Sequence, residues 1–146
     1  MINAFINEYN KVFTSKISLQ MQVTGRQSSY KFLPKNFNIS INRKSIQSST
    51  DKYIEEIKWG TGNNMPMVIG LNPSQSLPSI LDKTNELITY AIYMSSKKYD
   101  GYYLINLYSH IQTKKFLKSN FIDQTKVIKK AINFYTSNNK LQSIDC

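Results

Sequence analysis

Residues 65–76 read MPMVIGLNPSQS, an apolar run that closes on a Gly-Leu-Asn-Pro-Ser turn. Met67, Val68, Ile69 and Leu71 have the character of a short buried strand, Gly70 permits close backbone approach, and Pro73 cannot continue a strand ladder. Such a join puts polar groups at a strand's carboxyl end. Open α/β sheets bind ligands at that edge, so Gly70, Leu71, Asn72, Pro73 and Ser74, with the amides around them, are the first candidate ligand contacts. The same residues also suit an ordinary turn, because Asn and Ser bond local backbone and Pro fixes φ.

Downstream, residues 79–97 carry helical spacing: Ile80, Thr84, Leu87, Ile88, Ala91 and Ser95 recur at three- and four-residue steps. Ser79 is the expected N-cap, with Asp82 supplying an acidic first turn. Asp100-Gly101 ends this helix, and YYLINLY, residues 102–108, forms a second strand. Residues 123–135 are helical again, with Val127, Ile128, Ala131, Phe134 and Tyr135 on one face. Strand, helix, strand, helix in this order predicts a right-handed βαβ unit with parallel strands whose carboxyl ends share one edge. Asn72 is thereby expected near Asn106, Tyr108, Ser109 and His110. Two asparagine amides at neighbouring strand ends can read a heterocycle's edge, since each carries both donor and acceptor. Asn106 can equally be a buried residue bonding nearby backbone, and His110, the only histidine, is either a general acid or a loop residue.

Upstream, residues 53–59 read as an edge strand or a short helix, and residues 60–64 as a Gly- and Asn-rich loop. Residues 15–50 are polar and β-leaning: ISLQMQV alternates, YKFL and FNISI follow, and Gly25 and Pro34 punctuate them. A short helix is expected over residues 2–13, with Ile2, Phe5, Ile6, Tyr9 and Phe13 near one face. The 146 residues suit a single domain with a βαβα core at 59–136, and residues 1–50 as a β region or N-terminal extension.

Composition narrows the function classes. An apolar content of 40% supports a real core, and no stretch approaches the roughly 20 apolar residues of a membrane span. The opening MINAFINEYNKVF lacks a basic start and an apolar centre, so no secretion signal is expected, and a cytoplasmic protein is the default. Cys146 is the only cysteine, which excludes an internal disulfide and a Cys-based metal cluster. No metal and no cofactor are expected. The net charge of +10 points to an anionic partner such as nucleic acid, although it is spread evenly: residues 1–58 hold nine Lys or Arg against four acids, and the rest ten against five. The abundance of Lys, Asn, Ile, Tyr and Ser is also what an adenine- and thymine-rich genome encodes.

The run WGTGNNMPMVIGLNPSQSLPSILDKTNELITYA, residues 59–91, followed by YDGYYLINLYSHIQTKKFL, residues 99–117, resembles the bacterial and phage domain-of-unknown-function family 1643. The resemblance rests on an apolar strand, Leu71 to Ser74, Asp82 and Thr84 opening a helix, a Tyr99 to Tyr102 turn, and a strand ending Asn106-Leu107. A second resemblance is to the uracil-DNA glycosylase superfamily. Gly70-Leu71-Asn72-Pro73 is similar to the first motif of mismatch-type members, and Leu104-Ile105-Asn106-Leu107 to the strand-end motif that recognises uracil. This resemblance implies a three-layer α/β/α-like fold with a parallel βαβ core. It also implies that Asn72 orients a water, Asn106 pairs with the base and Tyr108 supplies a stacking face. The chain departs from that superfamily in its late motif: no histidine follows His110, which is itself followed by Ile111. A member shortened at the C-terminus is the expectation.

Two functions are carried forward. One is a nucleic-acid, nucleotide or base-binding protein of glycosylase-like architecture; if active, it is a hydrolase of the N-glycosidic bond with Asn72 and His110 as its catalytic candidates. The other is a non-catalytic interaction protein of phage or mobile-element origin, contacting a protein or small nucleotide partner in the bacterial or phage-infected cytoplasm.

Overall fold

The computed structural model describes residues 7, 21–71, 73, 82–106 and 111. Within them the apolar run becomes strand β4 (Met67–Gly70) and the Tyr-rich run becomes β5 (Gly101–Asn106), joined through helix α1 (Lys83–Tyr93). β4 and β5 pair in parallel, with Met67 opposite Tyr103 and Gly70 opposite Asn106. The parallel βαβ expectation holds, and both strand ends meet at one edge.

β5 is the hinge of a mixed sheet. On its other side it pairs antiparallel with β3 (Lys52–Lys58), which continues antiparallel to β2 (Ile41–Gln47) and then to β1 (Met21–Gln27). The five-stranded order is β1-β2-β3-β5-β4. The architecture is therefore mixed α/β, with antiparallel β3, and beyond it β2 and β1 from the first 50 residues, extending the parallel pair. Residues 21–47 supply β1 and β2, whereas YKFL and most of FNISI lie between them without strand pairing.

β3 corrects the expectation for residues 53–59. It is neither an edge strand nor a helix but an inner strand, buried along nearly its whole length. Its charged text, KYIEEIK, conceals this, because Lys52 and Glu55 are buried together rather than solvated. A bulge makes that pairing possible. Ile46 opposes Ile54 while Gln47 opposes Lys52, so one extra residue in β3 breaks the two-residue alternation. Lys52 then reaches Glu55 three residues on, with Nζ 3.2 Å from Oε1.

Helix α1 starts later than expected. Asp82, not Ser79, is its N-cap: its carboxylate accepts from the Asn85 amide at 2.7 Å. The helix stops at Tyr93 with Met94 as C-cap, short of Asp100-Gly101. Asp100 instead organises the 60–64 loop, its carboxylate accepting from the amides of Gly62 and Asn64. The buried face of α1 is also rotated from the apolar spacing: Asn85, Glu86, Thr89 and Ile92 face inward, while Leu87 is half exposed. A polar stripe buries here because each member has a partner. Thr89 and Tyr102 share a 3.0 Å hydroxyl contact, Asn85 reaches Glu55, and Glu86 accepts from the amides of Lys31 and Phe32.

The core between α1 and the sheet gathers Ile41, Ile57, Ile92, Tyr102 and Leu104, with Val68, Ile88 and Trp59 packed against it. Trp59 Nε1 donates to the Tyr99 carbonyl at 2.8 Å, which ties the end of β3 to the entry of β5. The other sheet face is apolar too, with Ile46, Ile54 and Ile105 fully buried. No helix among the described residues is long and apolar enough to cross a membrane. The helices expected at 2–13 and 123–135 lie outside the described residues, apart from Asn7, which is helical, and so does Ser79.

Candidate functional site

A cavity of about 240 Å³ opens where β4 and β5 end against the start of α1. Its walls come from the sheet (Glu55, Gly70, Leu104, Asn106), from the chain just after β4 (Leu71, Pro73), and from the first turns of α1 (Asp82, Thr84, Asn85, Ile88). This is the strand-end location expected for an α/β ligand site. Gly70, Leu71, Pro73 and Asn106, all expected as ligand contacts, are brought together there. Asn72, Ser74, Tyr108, Ser109 and His110 lie outside the described residues.

Gly70 has a steric reason to be glycine. A β-carbon at this position would collide with Asn106 Oδ1 and sit 3.5 Å from Leu104 Cδ1. The parallel register sets this up by placing Gly70 directly opposite Asn106. The amide of Asn106, only 4% exposed, thus lies across the end of β4.

Residues that sequence reasoning passed over form the other wall. Glu55 Oε1 accepts from Arg43 Nη2 at 2.9 Å and Lys52 Nζ at 3.2 Å, and Oε2 accepts from Asn85 Nδ2 at 3.1 Å. All four side chains are buried. Two cations balance a carboxylate that would otherwise be costly to desolvate. The signal that could have exposed them is local: Lys52 and Glu55 flank Tyr53 and Ile54 in a strand-forming run, an odd spacing for a solvated face. Beside them Tyr102, buried and donating to the Asn85 carbonyl at 3.2 Å, has its phenol pushed well above the ordinary range by burial. Among the described residues no group of three His, Cys, Asp or Glu is placed to hold a metal.

A family model described as protein of unknown function (DUF1643) matches residues 42–143. The chain belongs to this family. The DUF1643 match is wider than the 59–117 span on which the resemblance rests: it takes in β3, all of β2 but Ile41, and residues past 117. Arg43, Lys52 and Glu55 therefore fall inside the DUF1643 region together with Gly70 and Asn106. No curated protein and no solved structure matches the chain.

Proposed function

We propose that this DUF1643 protein binds a nucleobase or nucleotide at the carboxyl ends of β4 and β5. The observation that carries the reading is the packing of the Asn106 amide over Gly70 at the rim of the cavity. A side-chain amide carries both a donor and an acceptor, the functions that read a heterocycle's edge, and a glycine opposite it lets the backbone approach the ligand. The volume supports a small occupant. Drug-sized ligands occupy roughly 300–1,000 Å³, so a cavity of about 240 Å³ suits one heterocyclic ring system with its attached sugar reaching outward.

In the finer form of this proposal the protein is glycosylase-like and hydrolyses an N-glycosidic bond. The parallel β4-α1-β5 unit supports it, as does the burial of Ile54 and Ile105 on the sheet face opposite α1, which suits a three-layer arrangement with residues 59–136 as its core. Asn72 would orient the attacking water, Asn106 would hold the base, and Ser74, Tyr108, Ser109 and His110 would complete the rim. Cleavage builds positive charge on the sugar and negative charge on the leaving base, so aimed amide donors lower the barrier without a metal.

Equilibrium binding of nucleobases and mononucleotides to the full chain tests the first level. Binding that Asn106→Ala abolishes supports it; no saturable binding of any of them sinks it. Oligonucleotides bearing uracil or altered bases, followed by alkali to reveal abasic sites, test cleavage separately. The second reading, a non-catalytic interaction protein, draws on Ile69 in β4 and Leu71 just after it, which are 46% and 55% exposed. It gains if Ile69→Asp removes a protein partner while base binding persists.

A further inference from the structure

The chemistry of the cavity wall is lopsided, and this selects among bases. Glu55 has about four lone-pair positions as a carboxylate. Three are filled, two on Oε1 by Arg43 and Lys52 and one on Oε2 by Asn85, which leaves one acceptor position on Oε2. Asn85 gives one Nδ2 hydrogen to Glu55, which orients the amide, and its Oδ1 accepts no hydrogen bond among the described residues and is open to a donor. Both side chains line the cavity, and they are 3% and 4% exposed. The wall therefore presents two neighbouring acceptors from buried, rigidly held groups. The charge of Glu55 is already balanced by Arg43 and Lys52, so this carboxylate favours a neutral donor over a cation.

We infer that the cavity takes a guanine-type heterocycle, whose exocyclic amino group donates to Glu55 Oε2 and whose adjacent ring N–H donates to Asn85 Oδ1. This rests on the base-binding reading above and gives it a ligand class. A uracil edge fits the same wall poorly, because its single N–H lies between two carbonyl oxygens, and at least one of these would face a protein acceptor. A site built on such hydrogen bonds rejects an analogue that lacks a donor, because a buried polar group is then left without its partner. The inference thus departs from the uracil preference that the glycosylase resemblance implies.

The test is calorimetric titration of the full chain with guanosine, inosine and uridine 5′-monophosphates. The first two differ only in the 2-amino group, so sugar and phosphate contacts cancel in their ratio. The guanine nucleotide should bind about tenfold or more tighter than the hypoxanthine nucleotide, and tighter still than the uracil nucleotide. Glu55→Gln, checked for native circular dichroism, should shrink the guanine-to-hypoxanthine ratio toward one. If it does not fold, the ligand series on the parent chain decides alone. Equal binding of all three, or a preference for hypoxanthine or uracil, overturns the guanine inference and leaves base binding standing. No binding of any of the three overturns both.

Discussion

Asn106 Oδ1 occupies the space that a β-carbon on Gly70 would need, across the parallel pairing of β4 and β5. The contact couples the turn motif to the second strand. Gly70→Ala must displace either the Asn106 amide or the β4 backbone, and overpacking of this kind costs about 1–3 kcal/mol. Urea unfolding should show that loss, with nucleotide binding falling alongside it. Met94→Ala, at a residue 60% exposed, should change stability by less than about 0.5 kcal/mol. Equal stabilities for the two variants would contradict the close approach.

Glu55 holds two buried cations, so its removal should be among the most damaging single changes. Glu55→Leu takes from Arg43 and Lys52 the buried carboxylate that both contact, a loss of about 3–5 kcal/mol by the general behaviour of broken buried pairs. A triple replacement of Arg43, Lys52 and Glu55 by apolar residues of similar size should recover much of that loss. The comparison by chemical denaturation separates the electrostatic cost of removing the carboxylate from any cost of lost packing.

How much of this was legible in the sequence depends on which residues carried the pattern. MVIG and YYLI are apolar without charge, and the helical spacing between them is long, so the parallel unit and its shared edge could be read directly. β3 could not, because strand and helix patterns assume charged residues face water, and Lys52 and Glu55 satisfy each other inside. The same blindness rotated the expected face of α1, where Asn85, Glu86 and Thr89 bury through hydrogen bonds rather than hydrophobicity. Of the residues that line the cavity, Gly70 and Asn106 were expected there from strand ends and motif, whereas Glu55 is brought to Asn85 only through the antiparallel pairing of β3 with β5. Long-range pairing of that sort has no local signature.

Asp82 caps α1 and also lines the cavity, so it links helix stability to the site. Asp82→Ala should cost about 0.5–2 kcal/mol by loss of the cap, while Asp82→Ser should cost little. Thermal unfolding followed by far-ultraviolet circular dichroism measures the difference. If the serine variant is as unstable as the alanine variant, capping is not the role of this side chain.

Buried phenols set an alkaline limit. Of the ten tyrosines, Tyr102 and Tyr103 have their ionisation raised well beyond 10.0 by burial, and Tyr30 is pushed up to about 12 by burial and the nearby Glu86 carboxylate. The unfolded chain releases these protons near the ordinary value of 10.0, while the native chain retains them. Above that pH the unfolded state binds fewer protons, so stability falls as pH rises from about 10 toward the native values. Phenolate absorbance should therefore appear in two stages, with the second coinciding with unfolding. Tyr103→Phe should make the decline with pH shallower.

Glu86 fastens the segment between β1 and β2 onto α1. Its two carboxylate oxygens accept from the amides of Lys31 at 2.9 Å and Phe32 at 2.7 Å, and the Tyr30 hydroxyl donates to the Ile39 carbonyl at 2.6 Å to close the same segment. Phe37 then stacks edge-on against Tyr30, Tyr90 and Tyr93. Glu86→Ala removes both acceptors at once, so the two amides lose their partners and stability should drop by about 1–3 kcal/mol. Glu86→Gln keeps one acceptor oxygen and should fall between. Hydrogen exchange at the Lys31 and Phe32 amides is the discriminating readout. It should accelerate in Glu86→Ala well beyond the change at the β3 amides, because the segment opens locally before the sheet does. Uniform acceleration across both regions would mean that Glu86 acts on global stability alone and does not fasten this segment.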